Sequence, residues 1–311
     1  MLPAPISIPS VNKNTAATII SALLASNGIT RTDLAGACSV SAMTAGKVVT
    51  AMCDAGYACI CEEFSVHGRR TDFIYPSGSF TFLIFDIGER TMSANLYDAL
   101  ENTSFTYTQP RNESVDITAD ARSFVALVNE QISDIGQSDT YRLSALLYNK
   151  SISLNVKILE REMPFSIAIE KSVAASEYVN TKYPSECVAF IGGSDGSDIS
   201  IISDGKIVAG RSKPKKLGAK ILRSEIDMLD TITEKLVSLF DFVMPDKVIL
   251  ESRSLHLSRR FSDELCERLC TSTSMQKEEL PELVTNDGIP FPSRAVIGQL
   301  INIYANLISA N

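Results

Sequence analysis

The sequence predicts an α/β protein with an all-α-plus-wing domain at its N-terminus: a winged helix-turn-helix followed by a two-lobed α/β body. Three observations predict it. Within residues 14–75, three helical patterns with capping residues at their starts precede two strand-like runs. The apolar run at 80–88, Phe-Thr-Phe-Leu-Ile-Phe-Asp-Ile-Gly, then opens a region where strand-like and helical runs alternate, the signature of packed βαβ units. Finally, 311 residues with 45% hydrophobic content can bury more than one substantial core.

The first helix is expected from Asn14 or Thr15, both good N-caps, because Ala16, Ile19, Ile20, Leu23 and Leu24 fall on one helical face. Gly28 ends it. Thr30-Arg-Thr-Asp33 resembles a capping box with Asp in place of Glu or Gln, and starts a short helix that turns Leu34 and Ala35 inward. The turn falls at Cys38-Ser-Val40. Ser41 caps a third helix with the inward stripe Ala45, Val48, Val49 and Met52, which leaves Ala42, Met43, Thr44, Gly46, Lys47 and Thr50 outside, up to a stop at Gly56. In this order of elements the third helix is the one that enters a major groove. Strand-like runs at 57–64 and 70–75 flank the turn Val66-His-Gly-Arg69, placing Arg69 and Arg70 at a wing tip, where they suit phosphates or a minor groove.

Charge tempers that expectation. Residues 1–77 hold five basic side chains (Lys13, Arg31, Lys47, Arg69, Arg70) and five acidic ones (Asp33, Asp54, Glu62, Glu63, Asp72), so affinity from phosphate neutralisation is modest. Placement favours a DNA contact instead: Arg31, Thr32, Ser41, Thr44, Lys47, Arg69 and Arg70 fall on helix starts, the third helix and the wing. Gly46 inside a helix costs about 1 kcal/mol relative to Ala, which a closely approaching partner would explain. A helical domain with a hairpin and no nucleic-acid role is the alternative.

The body opens on a hairpin over 80–87 and 92–97. Residues 118–132 read as an amphipathic helix with Phe124, Leu127 and Val128 inward, followed by a strand at 141–148 and a helix over 167–181. A second lobe begins near Ser185 with a strand at 187–191 and a hairpin running to Val208; a long helix over 224–242 precedes the strand Lys247-Val-Ile-Leu250, and a last helix covers 293–308. The expected division is 1–77, 78–183, 184–292 and 293–311.

Composition excludes several classes. With 29 basic and 37 acidic residues, a net charge of −8 argues against a generally nucleic-acid-coating protein and leaves room for a local reader. No apolar run reaches the roughly 20 residues that span a bilayer, and the first residues lack the basic-then-apolar plan of a signal peptide, so no membrane contact and a cytoplasmic location are expected. Seven cysteines scattered from Cys38 to Cys270 form no regular framework and read as reduced thiols. Cys59 with Cys61, and Cys266 with Cys270, share faces but lack a partner histidine. His67 and His256 are assigned no role.

Taken in order, several stretches resemble the ROK family (repressors, open reading frames, sugar kinases) in its regulator branch, over nearly the whole chain. They are Thr30-Arg-Thr-Asp-Leu-Ala35, Ser41-Ala-Met-Thr-Ala-Gly-Lys47, Gly68-Arg-Arg70, Phe85-Asp-Ile-Gly88, Ile191-Gly-Gly193 through Gly205-Lys-Ile to Gly210, and Ser293-Arg-Ala-Val-Ile-Gly298. The resemblance implies an actin-like (ribonuclease H-like) sugar-kinase fold for the body, with the last helix returning to the first lobe. It also implies double-stranded DNA as partner, a homodimer or tetramer, and a sugar or other small molecule as effector.

Against that family the phosphoryl-transfer residues are altered. Its active kinases hold an aspartate in an Asn-Asp-Ala stretch at a helix start, as base for the sugar hydroxyl. Aligning through Ala174-Ala175 puts Glu170 and Lys171 there, and a protonated lysine does not serve as that base. Asp86 and Gly88 match the first phosphate loop, but Glu89 and Arg90 follow where glycine and threonine are usual. The second loop, Gly192-Gly193-Ser-Asp-Gly-Ser-Asp198, turns Asp195 and Asp198 toward the phosphates, and like charges at about 4 Å cost roughly 1 kcal/mol even in water. As a Gly/Asp/Ser cluster this second loop reads first as an ordinary hairpin or turn. Glu251-Ser252 replaces the glycine pair near the adenosine, and the His/Cys zinc segment has no counterpart between Cys187 and His256. The basic cluster Arg211-Ser-Lys213-Pro-Lys-Lys216 reads first as a solvated loop, with contact to DNA or an anionic ligand as the alternative.

No catalytic residue, cofactor or metal is therefore expected, and Asp86, Gly88, Glu170, Lys171, Gly192 and Gly193 read as vestigial kinase positions. The expected function is a catalytically inactive DNA-binding transcriptional regulator. The alternatives are a divergent sugar kinase using Glu170 as base, and a protein-interaction module whose winged helix does not bind DNA.

Overall fold

A computed structural model describes residues 2–64, 70–78, 80–88, 91–98, 102–134, 141–149, 152–163, 166–192, 198–204, 206–208, 225–250, 260–285 and 291–309. The chain forms two units, Met1–Ile169 with Val296–Asn311, and Glu170–Ala295.

The first unit begins with α1 (Lys13–Leu24), β1 (Ile29–Thr30), α2 (Arg31–Ala37), α3 (Ala42–Asp54), β2 (Ala58–Phe64) and β3 (Arg70–Pro76). The cap of α1 is Asn12 rather than Asn14 or Thr15: its side chain accepts the Asn14 amide at 2.8 Å. The inward stripes bury as their periodicity requires, with Ile19, Ile20, Leu23, Leu24, Leu34, Ala45, Val48, Val49 and Met52 at 0% exposure. The strands form an antiparallel sheet in the order β1-β3-β2. Two residues are too few to leave a pattern, so β1 was invisible in the sequence. Gly28, at φ +88, makes the turn into it.

The rest of this unit is built on β4 (Phe80–Ile87), β5 (Thr91–Asp98), β6 (Thr103–Pro110), α4 (Ile117–Asp134), β7 (Tyr141–Tyr148), α5 (Val156–Glu162) and β8 (Ser166–Glu170). Its sheet has the order β6-β5-β4-β7-β8, with β4–β5 and β5–β6 antiparallel and β4–β7 parallel. Phe85, Phe124, Val128 and Leu146 pack into the core under α4. Fully burying side chains of this size contributes about 1.5–3 kcal/mol each.

Three expectations need correction. Leu127 does not turn inward but is 36% exposed, because the buried arc of α4 centres on Ala121, Val125 and Val128, with Phe124 on its flank and Leu127 beyond it. The helix expected over 167–181 begins only at α6 (Lys171–Lys182), and residues 166–170 are β8. No Gly or Pro separates the two, so the strand Ser-Ile-Ala-Ile-Glu runs straight into the helical period. The elements β6 and α5 were also missed.

The second unit contains α6, β9 (Val188–Gly192), β10 (Asp198–Ser203), β11 (Lys206–Ile207), α7 (Glu225–Phe240), β12 (Lys247–Leu250), α8 (Phe261–Thr273) and β13 (Glu282–Thr285). Its sheet runs β11-β10-β9-β12-β13. Counted along the chain, both large sheets place their strands third, second, first, fourth, fifth, with the first strand antiparallel to the second and parallel to the fourth. That repeated plan is invisible as sequence identity. The helices α7 and α8 cover one face through Leu229, Ile232, Leu265 and Leu269, and α6 covers the other through Ala175 and Val179.

The last helix, α9 (Phe291–Ile308), enters the first unit from Val296 onward, and its Tyr304 hydroxyl donates to the Thr81 carbonyl at 3.1 Å. Tyr304 meets Phe80 and Phe82, at 5.0 and 5.6 Å between ring centroids. Phe80 and Tyr141 in turn hold Tyr57 edge-on, at 5.7 and 5.4 Å. Tyr57 precedes the wing and is 3% exposed, so the winged helix is anchored into the body by an aromatic chain. The N-terminal segment strengthens the joint: the Tyr57 hydroxyl donates to the Ala4 carbonyl at 2.9 Å and the Ile6 amide to the Ile308 carbonyl at 2.8 Å. Ser21 of α1 donates to Asn302 of α9 at 2.6 Å.

Candidate nucleic-acid interface

The axes of α2 and α3 bend by 113° across the turn, within the range of helix-turn-helix pairs. Thr30 caps α2 by accepting the Asp33 amide at 3.2 Å, while its hydroxyl donates to the Asp33 carboxylate at 2.7 Å. The capping box is thus altered: the carboxylate takes the Thr30 hydroxyl rather than its backbone amide. Ser41 caps α3 by accepting the Thr44 amide at 3.1 Å, and the two hydroxyls lie 2.9 Å apart. Ser41 and Thr44 therefore fix the start of the helix besides facing outward.

Arg31, Thr32, Ser41, Ala42, Met43, Lys47 and Thr50 are exposed, and Thr44 and Gly46 half-buried. The structure sets one of the two helix-borne cations against Gly46. The Arg31 side chain lies across this glycine, and a Cβ built there would stand 3.5 Å from Arg31 Cδ. That is ordinary contact, so the fold itself does not require glycine at this position. The Lys47 ammonium donates to Ser10 Oγ at 2.8 Å, which ties the N-terminal segment to the outer side of α3. On the wing, Arg70 pairs with Glu62 at 3.4 Å, both exposed, a geometry that contributes little to stability. Tyr75, held by its hydroxyl to Glu63, covers Gly28. Arg69 and the turn 66–69 lie outside the described residues.

The kinase-like positions fall in both units. Asp86 is half-buried on β4, facing Ser93 across β5. Gly88 donates its amide to the Thr91 carbonyl at 3.0 Å, and a Cβ there would stand 2.9 Å from that oxygen, so glycine is required by the tight β4–β5 turn. Its N–H is thereby already used. Glu170 occupies the N-cap of α6 but accepts from the Ser172 hydroxyl at 2.6 Å instead of capping an amide, and Lys171 is the first helical residue. Gly192 ends β9 opposite Asp198. Gly193, Glu89, Arg90, Asp195, Glu251, Ser252, His67, His256 and the basic cluster at 211–216 lie outside the described residues.

Among the described residues no group of three or more His, Cys, Asp or Glu is placed to hold a metal ion, and no single helix is long and apolar enough to cross a membrane. The cysteines are free thiols. Burial pushes Cys38 and Cys53 up, away from the reactive thiolate form.

No model of a known family and no curated protein matches the sequence. The fold does have relatives among solved structures. A crystal structure of a ROK family transcriptional regulator, a homologue of the E. coli MLC protein, superposes with a TM-score of 0.60 over 96% of this chain and 98% of that one, at 11% identity. An inorganic polyphosphate/ATP-glucomannokinase from Arthrobacter sp. strain KM (TM-score 0.46, 12% identity) covers 72% of this chain and 98% of its own. A ROK family glucokinase from Streptomyces griseus in complex with glucose and AMPPNP (0.43, 11%) covers 70% and 97%. Both of these likenesses are too distant to carry more than their mention. The chain has the ROK fold, a winged helix-turn-helix joined to an actin-like, two-lobed α/β body.

Proposed function

We propose that this chain is a catalytically inactive ROK-type transcriptional regulator that reads double-stranded DNA through α3 and the wing. The observation that carries the reading is the outer side of α3: the inward stripe is spent on the domain core, while Ala42, Met43, Lys47 and Thr50 stand exposed beside Arg31. A helix presented in this way fits a major groove, and a wing bearing Arg70 fits the adjoining backbone. The neutral balance of residues 1–77 makes base-edge contacts matter more than phosphate neutralisation. The kinase side of the reading rests on Gly88, whose amide closes a turn, and on Glu170-Lys171 at the start of α6. A carbohydrate is the effector class suggested by the family likeness.

Selection of bound duplexes from a random pool, followed by anisotropy titration, tests the DNA half. Enrichment of a defined half-site, retained in Lys47→Ala at lower affinity, is expected; no enrichment at low salt refutes it. An ATP-consumption assay across a sugar panel tests the other half, and turnover abolished by Glu170→Gln refutes it. A second reading, in which the winged helix contacts protein, draws on Met43, 74% exposed on the outer side of α3, and Ile60, 45% exposed on β2. It predicts that binding to every duplex is insensitive to changes at Arg70 and Lys47.

A further inference from the structure

The geometry points to β6 as the seam of a symmetric dimer, in which β6 of one chain pairs antiparallel with β6 of a second copy. The three sheets have six edge strands among the described residues, and five of them carry a device that blocks edge pairing. β1 and β11 are two residues long, β13 is four with Glu282, β8 is five with Glu170, and β2 carries Glu62 and Glu63. Short edges and edge charges are how sheets avoid joining one another.

β6 has none of these along its middle. It is eight residues long, Thr-Ser-Phe-Thr-Tyr-Thr-Gln-Pro, without a charge. Its proline is the last residue and the irregularity in its pairing with β5 falls at Ser104, skipped between Thr103 and Phe105, so 105–109 is an uninterrupted edge.

The layer beneath this edge is also unfinished. Phe105 and Tyr107 pack on the core under α4 yet remain half-exposed, and Tyr107 stacks on Phe124 at 6.0 Å. Leu127 belongs to the same strip. Arg122 binds Glu162 of α5 and marks one flank of α4; Phe124, on Tyr107, marks the flank toward β6. At about 100° per residue, Leu127 lies roughly 60° from Phe124 and roughly 140° from Arg122, on the β6 flank, where it is 36% exposed. An uncharged edge thus adjoins an exposed apolar strip.

The strand is its own complement, which selects a second copy as the occupant. With the two-fold axis at Thr106, Phe105 of each chain faces Tyr107 of the other on the apolar face, and the two Thr106 side chains meet on the outer face. Aromatic and hydroxyl pairs of this kind stabilise antiparallel strands. A two-fold interface places one surface against itself, and the product is a continuous ten-stranded sheet.

The test uses the full chain. Light scattering after size exclusion is expected to show a dimer for wild type and a monomer for Thr106→Lys at the same concentration, with unchanged circular dichroism, since two lysines would meet on the axis. Thr106→Cys is expected to give a covalent dimer on mild oxidation, reversed by reductant, above any background from the seven native cysteines. A monomeric wild type, a dimer that tolerates Thr106→Lys, or a dimer that Thr106→Cys fails to cross-link each overturns the inference. Binding of Thr106→Lys to a single half-site reports separately on DNA reading and is expected to be unchanged.

Discussion

Gly46→Ala separates what the fold asks of α3 from what a partner asks of it. Gly46 is the fifth of 13 residues in α3, an interior position. Replacing such a glycine by alanine favours the helix by about 0.5–1 kcal/mol, since glycine loses more backbone freedom on folding. The added methyl meets only Arg31, at 3.5 Å from Cδ, so steric cost within the chain is negligible. The net expectation is a protein more stable by about 0.5–1 kcal/mol, read as a rise in the urea midpoint with the slope unchanged. If a duplex lies against α3 there, the same methyl separates it from the helix, and the half-site affinity falls. Greater stability with weaker DNA binding is the expected pair of results. Greater stability with unchanged DNA affinity would refute the argument that close approach explains this glycine, and a loss of stability would refute the packing geometry around Arg31.

Other positions give sharp outcomes. Lys47→Ala should weaken binding to all duplexes alike and lower the salt slope by about 1, whereas Ser10→Ala, which only releases the ammonium, should not weaken it. Gly28→Ala should destabilise the chain by about 1–3 kcal/mol, because Gly28 has φ +88 and its Cβ would run into the Tyr75 ring; a neutral result in urea titration would contradict that geometry. Burial, with the Tyr141 hydroxyl second, pushes the Tyr57 phenol up to about 12. A raised phenol stabilises the fold fully below the ordinary value near 10 and loses that contribution as pH rises toward the folded value. Wild type should therefore lose stability between about pH 10 and 12 more steeply than Tyr57→Phe, in urea titrations at stepped pH.

Much of the N-terminal domain was legible because its signals are local. Ser41 and Thr30 cap the helices at which they were expected, and the stripe Ala45, Val48, Val49, Met52 is wholly buried. The long strands β4 and β7 were legible for the same reason: their apolar runs exceed what a surface loop tolerates. What escaped was non-local or short. Tyr57 looks like any strand-edge tyrosine until Phe80 and Tyr141 are brought beside it from distant parts of the chain. The placement of Lys47 against Ser10 depends on where the N-terminal segment runs, which no periodicity encodes. β6 does carry an alternation, threonine against aromatic, that could have revealed it. Leu127 was misplaced because the spacing from Phe124 is compatible with burial and only the width of the buried arc decides.

The aromatic chain from Tyr57 to Tyr304 removes slack between the winged-helix head and the scaffold behind it. A head on a loose tether samples many orientations and must find the right one anew at each encounter. Here ring contacts and the hydrogen bonds at Ala4, Ile308 and Asn302 set the orientation beforehand. A tilt of β4 or α9 would therefore swing the wing as a lever swings from its fulcrum, and the distance between two such heads in an assembly becomes a property of the scaffold.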